Sequence, residues 1–175
     1  METERLILRP FTMEDAQPMF ENWASDEEVV KYLTWPPHKD LEVTCKVLQD
    51  WISSYEKPDF YQWAIVLKAS GQPIGSIAVV EQNERAQSGH IGYCIGKNWW
   101  HQGIMSEALR AVMEFLFREV GFQRLDSRHD PKNPHSGAVM RKCGMQYEGT
   151  FRRSDWNNQG ICDASWYAAF REEWQ

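Results

Sequence analysis

Cysteine is scarce in this chain, and the four it has, Cys45, Cys94, Cys143 and Cys162, lie far apart with no CxxC spacing among them. That separation argues against a structural zinc site and against a redox dithiol, so no metal is expected, and reduced thiols in a cytoplasmic setting are the default. There is no excess of positive charge: 19 Lys and Arg stand against 25 Asp and Glu, a formal net charge of -6. A chain so balanced presents no general basic field to a phosphate backbone, which excludes nucleic acid as the first choice of partner and suits a cationic substrate better. No apolar run approaches the length of a membrane span, so no membrane partner is expected. The opening Met1 to Pro10 carries Glu2, Glu4, Arg5 and Arg9 and so lacks the apolar stretch of a signal peptide. Neither a GxGxxG fingerprint nor a Walker lysine motif is present, and no internal repeat or low-complexity tract is visible.

What the chain does have is apolar material. Hydrophobic residues make up 42% and aromatic residues 13%, including nine tryptophans, enough to build a packed core. A length of 175 residues fits one domain, 1–175, better than two.

Residues Glu4 to Pro10 read as a short strand, and Thr12 followed three positions later by Asp15 resembles a capped helix start. A first helix is expected from Met13 to about Trp23, shortened or kinked by Pro18. The Trp35-Pro36-Pro37 turn separates a short helical piece, Glu27 to Leu33, from a longer helix, Leu41 to Tyr55. Three apolar runs follow, Trp63 to Leu67, Ile74 to Val80 and His90 to Ile95, joined by short polar connections, which predicts an antiparallel meander. Ile104, Ala108, Ala111, Val112, Phe115 and Leu116 recur at helical spacing, predicting a helix from Gly103 to about Val120 that stops at Gly121. A strand at Gln123 to His129, a helix at Asn133 to Cys143, and strands at Gln146 to Arg153 and Cys162 to Arg171 complete the pattern, the last two joined by a turn over Asn157 to Gly160. The pattern is α/β in the α+β sense, a mixed and mostly antiparallel sheet. Trp51, Trp63 and Trp166 are expected in the core.

The segment from Ile91 to Leu109 is a strand, a loop and a helix. The start of a helix exposes unpaired N–H groups at its positive end, and a pyrophosphate is a natural ligand for them. Gly103 would let the backbone approach closely, although the same glycine would equally serve a tight turn with no ligand.

The full segment, His90-Ile-Gly-Tyr followed by Trp99-Trp-His-Gln-Gly-Ile-Met-Ser-Glu-Ala-Leu, resembles the acetyl-CoA-binding core of the Gcn5-related N-acetyltransferases (GNAT), in particular their RimJ/RimL-like branch, which acetylates protein N-termini among other amines. The Arg-Leu-Ile-Leu-Arg-Pro opening, the three central strands and the Asn133 to Gly149 block extend the resemblance over nearly the whole chain. It implies the GNAT fold, with about seven strands flanked by about four helices. In the family pattern of Gln or Arg, two residues, Gly, one residue, then Gly or Ala, Trp100 stands in the first place and Met105 in the last, and Gly103 alone matches. The resemblance implies that Tyr93, Cys94 and Ile95 present backbone groups to the pantetheine arm, and that the amides of His101, Gln102, Gly103, Ile104, Met105 and Ser106 hold the pyrophosphate. The arm would then fill a gap between two parting strands as an added strand does. His101 reads as a phosphate neighbour or surface residue rather than a catalytic group.

Transfer of an acetyl group to an amine needs a neutral amine and a proton for the departing thiolate. Alkyl amines have a pKa of about 10.4 and α-amines of about 8, so both benefit from a base. The family's acid tyrosine is absent, since its place falls on Met140. The resemblance puts a serine, Ser136, three residues after Asn133 and near the thioester sulfur, as the proton donor; the other reading is a hydroxyl that satisfies the helix start. Asn133 is either a cap or a partner of the pantetheine. Asp155 is the carboxylate the resemblance offers as base, acting through a water, or else a residue of a solvated turn. Tyr32, Trp35 and Trp156 fall in the segments that form the family's substrate wall. The reading is an acetyl-CoA-dependent N-acetyltransferase acting on a primary amine by direct attack in a ternary complex, the amine being a protein or peptide N-terminus. The alternatives are a small-molecule amine such as an aminoglycoside or polyamine, and a non-catalytic acetyl-CoA-binding module. Exposed aromatics leave room for a homodimer.

Overall fold

In the computed structural model, which describes residues 1–174, alternation along the first strand already sets the layers. Strand β1 (Leu6–Arg9) buries Leu6 and Leu8 in one core while Ile7 packs into another, as the two-residue period of a strand requires. Strand β2 (Gln62–Leu67) divides in the same way, Ile65 to the first core and Ala64 and Val66 to the second. A strand covered on both faces reads as a continuous apolar run rather than a strict alternation, which is what Trp63 to Leu67 looks like.

Seven strands form one sheet in the order β1-β2-β3-β4-β5-β7-β6. The remaining strands are β3 (Gln72–Asn83), β4 (Ser88–Ile95), β5 (Arg124–His129), β6 (Gln146–Asn157) and β7 (Gly160–Phe170). Every pairing is antiparallel except that of β4 with β5. One face carries α4 (Ile104–Phe115), continued by a π-helical turn at Leu116–Val120, and α5 (Pro134–Lys142). The opposite face carries α1 (Ala16–Met19) and α3 (Leu41–Ser54), packed around the fully buried Trp23 and Leu48. The short α2 (Glu27–Val30) starts at Asp26, whose side chain accepts from the Glu28 amide.

Three expectations change. The single helix from Met13 to Trp23 is a 3-10 turn (Met13–Asp15), then α1, then a π-helical stretch (Phe20–Ala24); Pro18 has no N–H to give to a regular ladder, so a uniform helix is not available. Strand β6 runs on to Asn157 through a register shift between Phe151 and Asp155, with Arg153 at φ 51°. Asp155 therefore belongs to a bulged strand and not to a turn. Trp51, Trp63 and Trp166 are half-buried, the first two at the margins of the cores and Trp166 against His90 and Arg128, and the tryptophan at the centre is Trp23.

Candidate functional site

Strand β4 follows β3 along its length, yet its ladder with β5 holds only Ser88, Gly89 and His90 against Arg124, Leu125 and Asp126. Beyond that point the strands part. The Ser127 hydroxyl donates to the Ile91 carbonyl at 2.8 Å and closes the fork; past it, the edge of β4 from Gly92 to Ile95 has no strand partner on that side among the described residues. Backbone groups left so want a ligand or water.

Two cavities open from the fork. One, of about 450 Å³, runs along Tyr93, Cys94 and Ile95 to the start of α4 at Gly103, Ile104, Met105 and Ser106. The other, of about 580 Å³, lies beneath Trp35, Trp51 and Trp156. Tyr32, Leu33, Tyr93, Cys94, Asn133 and Ser136 line both, so the two spaces meet at these residues.

The start of α4 combines an uncapped helix N-terminus with two nearby cations. Gly103 stands before the first turn at φ 73°, a left-handed conformation that side chains resist, and no side chain caps the helix. A Cβ at Gly103 would lie 3.4 Å from Lys142 Nζ and 3.8 Å from Arg5 Nη2. Two cations at the positive end of a helix dipole repel it, and a bound anion turns both terms favourable. Arg5 is fixed there by Glu107, through its Nε at 2.7 Å and its amide at 2.8 Å. Lys142 has no ion pair among the described residues. The Trp100 indole donates to the Ile95 carbonyl at 2.9 Å and ties the loop to the end of β4.

The profile of the acetyltransferase (GNAT) domain matches residues 5–146. This chain belongs to the GNAT acetyltransferase family. It is 27% identical to an uncharacterised N-acetyltransferase, p20, of Bacillus licheniformis, over 98% of this chain and 96% of the relative. It is 25% identical to the ribosomal protein uS5-alanine N-acetyltransferase of Escherichia coli, over 84% of this chain and 78% of that protein. Among solved structures, RimL, a ribosomal L7/L12 α-N-protein acetyltransferase in complex with coenzyme A, superposes with a TM-score of 0.84 at 22% identity, covering 96% of this chain and 95% of that one.

Within this GNAT fold, the residues expected at the loop separate by role. His101, Gly103, Ile104, Met105 and Ser106 line the first cavity. Ile104 and Met105 also belong to the core, at 2% and 6% exposure. Gln102 is directed away: its side chain donates to the Asn98 carbonyl at 2.8 Å, and its own carbonyl accepts from Arg5 at 2.9 Å. His101 stacks edge-on against His135 at 4.6 Å.

At the junction, the Tyr93 hydroxyl donates to the Ser136 carbonyl at 3.0 Å and lies 3.1 Å from Ser136 Oγ. Burial pushes the Tyr93 phenol well above its ordinary range, with the Ser136 contact opposing the shift, so the phenol is a neutral hydroxyl. Asn133 makes no capping bond with its side chain. Cys94 is also at the junction, its thiol raised by burial and 3.4 Å from Ser76 Oγ.

Asp155 lines the second cavity, but its Oδ2 accepts from Arg128 Nε at 2.6 Å and its Oδ1 from the Trp156 amide at 2.9 Å. Arg128 also lies 3.5 Å from Glu81, over the Trp166 ring, and 3.1 Å from His90 Nε2. A guanidinium is only a donor, so Nε2 accepts and His90 Nδ1 donates to Asp126 at 2.5 Å. Tyr32 and Trp35 are half-buried, whereas Trp156 is 57% exposed at the rim. Sequence reasoning missed Arg5 and Lys142 beside Gly103 at the start of α4, and Arg128, Glu81, His90 and Asp130 around the second cavity. Arg5, His90 and Lys142 lie in segments that carry the resemblance but have no role assigned by it, and only the fold brings the six residues to the two cavities. No group of three or more His, Cys, Asp or Glu side chains suited to a metal occurs among the described residues.

Proposed function

We propose that this acetyltransferase moves the acetyl group of acetyl-CoA to a primary amine by direct attack in a ternary complex, with residues 1–175 acting as one domain. The observation that carries the reading is the meeting of two cavities at Tyr93, Cys94, Asn133 and Ser136, one ending on an uncapped helix start and the other walled by aromatics. The first suits the coenzyme. Its diphosphate would take the amides from Gly103 to Ser106 with Arg5 and Lys142, and its pantetheine arm would pair with the open edge of β4. The coenzyme A held by RimL supports this choice.

In this reading the amine nitrogen enters from the second cavity and attacks the thioester carbon. The C–N bond forms, the C–S bond breaks, and the departing thiolate takes the Ser136 proton. The Tyr93 hydroxyl, whose own proton goes to the Ser136 carbonyl, holds Ser136 in place, and the serine recovers its proton from water once the thiol has left. The amine's proton passes through a water to Asp155, whose Oδ1 keeps lone pairs beyond its bond to the Trp156 amide. Tyr32, Trp35 and Trp156 form the wall the acceptor slides along. The acceptor class favoured by the uS5-alanine relative is a protein or peptide N-terminal amine. A cavity of about 580 Å³ with aromatic walls also suits a small-molecule amine.

The test is release of free CoA thiol from acetyl-CoA by the purified protein across N-terminal peptides, polyamines and aminoglycosides. Turnover with at least one amine is expected. Binding of acetyl-CoA without turnover on any of them would overturn the reading, and turnover on small amines alone would overturn the peptide assignment.

A further inference from the structure

Three carboxylates line the acceptor cavity, Glu81, Asp130 and Asp155. Arg128 answers two of them, at 3.5 Å and 2.6 Å. No cation lies within ion-pairing distance of Asp130 among the described residues, although it is only 9% exposed. Its oxygens accept from the Lys132 amide and from the Asn157 side-chain amide, each at 2.9 Å. Both partners are neutral donors. A buried carboxylate can accept about four hydrogen bonds and prefers a counter-charge. With Arg128 the only permanent cation among the lining residues, the cavity keeps an excess of negative charge. The neighbouring Cys162 thiol registers that field: burial raises its pKa first, and the charges of Asp130 and Asp155 raise it further.

The position of Asp130 matters as much as its charge. It directly follows the last residue of β5, His129, and its carbonyl accepts from the Asn133 amide at 2.7 Å. Asn133 in turn precedes Ser136, and both belong to the junction where the thioester must lie. The carboxylate is thus one turn of chain from the reaction centre, in a cavity whose other walls are Tyr32, Trp35 and Trp156. Aromatic faces tolerate an ammonium as well as an alkyl chain.

We propose that Asp130 is the residue that receives the acceptor's ammonium, which makes the substrate class an aliphatic amine that enters in its charged form. The proposal rests on the acetyl-transfer reading above and adds which group selects the acceptor. Asp130 orients the nitrogen, and the proton then leaves toward Asp155 through water, so the two carboxylates divide binding from deprotonation.

Asp130→Asn keeps the shape and an oxygen for Asn157 while removing the charge. Its KM for an aliphatic amine is expected to rise at least about tenfold, with the thermal shift produced by acetyl-CoA unchanged and turnover of an arylamine, neutral at pH 7, little altered. An equal loss on both amine types, or no loss on either, would overturn the proposal. A second measurement uses the unaltered protein, so it does not depend on how the variant folds. The N,N-dimethyl derivative of the best acceptor stays protonated and yields no neutral amide. It is expected to compete with that acceptor at least about tenfold better than the isopropyl compound of the same shape. Equal competition by the two overturns the proposal while leaving acetyl transfer intact. Absence of turnover with every amine, with acetyl-CoA still bound, overturns the transfer reading and this proposal together.

Discussion

Ser136 is held by a neighbour whose role could not be read from the chain. A serine three positions after an asparagine at a helix start has an ordinary explanation in capping, and the resemblance alone raised it to a proton donor. The phenol of Tyr93 gives the serine a partner other than the helix backbone. That contact joins β4 to α5 across 43 positions of sequence, and no local pattern announces it. Ser136→Ala is expected to lower kcat about a hundredfold, the usual span of a lost general acid, with little change in KM for acetyl-CoA; steady-state thiol release decides it, and an unchanged kcat would remove Ser136 from the chemistry. Lys142 makes the opposite prediction. Its amine stands over Gly103 with no carboxylate to hold it among the described residues, so Lys142→Ala should raise KM for acetyl-CoA about threefold to tenfold, leave kcat alone, and lose its effect as salt rises. A lysine near the end of a helix reads as a solvated charge or a favourable dipole partner, and its service to a different helix is visible only in three dimensions.

Elements were more legible than residues. The apolar spacing of Ile104 to Leu116 and the glycines on either side marked α4 correctly, because period and punctuation are local properties. The bulge that draws Asp155 into β6 was missed, since it turns on Arg153 in a left-handed conformation and on a bond from its amide to Asp163 of the partner strand, which no local pattern announces. For α4 the two bounding glycines furnish a paired experiment. Gly103 and Gly121 both hold left-handed backbone, at φ 73° and 94°, and an alanine in that region costs about 1–2 kcal/mol. In a chain of this length that corresponds to a fall in Tm of about 2–8 °C. Gly103→Ala and Gly121→Ala should therefore lose similar thermal stability. Gly103→Ala alone should raise KM for acetyl-CoA, because Gly121 lies at the far end of the helix with nothing within 4 Å of a Cβ there. Equal effects on KM would mean that the loop contributes no close approach to the phosphates.

For the whole molecule, the order of the central strands followed from the meander, but the parting of β4 from β5 came only from the family resemblance. What holds the assembled sheet and its two helical faces together is partly ionic, and this gives stability a pH dependence of known sign. Glu107 is raised by burial but lowered more by the Thr3 hydroxyl and by the amide and guanidinium of Arg5, so it sits below the usual carboxylate range. It straps the start of the chain to α4. Glu148 is lowered chiefly by its hydrogen bonds from Arg124, and Asp26 by that from Lys97, which strap β6 to β5 and α2 to the loop before α4. Each carboxylate has a lower pKa folded than unfolded, so its contribution is complete above the unfolded value, 4.5 for Glu and 3.8 for Asp, and is lost as pH falls through the folded value. His38 behaves in the same sense from a higher starting point. Burial alone lowers it from 6.5, so the folded state resists charging it, and stability begins to decline once pH drops below that figure. Thermal unfolding followed from pH 8 downward should show a shallow decline starting at about pH 6.5 and a steeper one below about pH 4.5. His38→Asn should remove the shallow step, and Glu107→Gln should lower Tm at pH 7 while flattening the steep one. A Glu107→Gln variant as acid-sensitive as the parent would show that the strap between β1 and α4 holds the fold through its neutral hydrogen bonds and not through its charge.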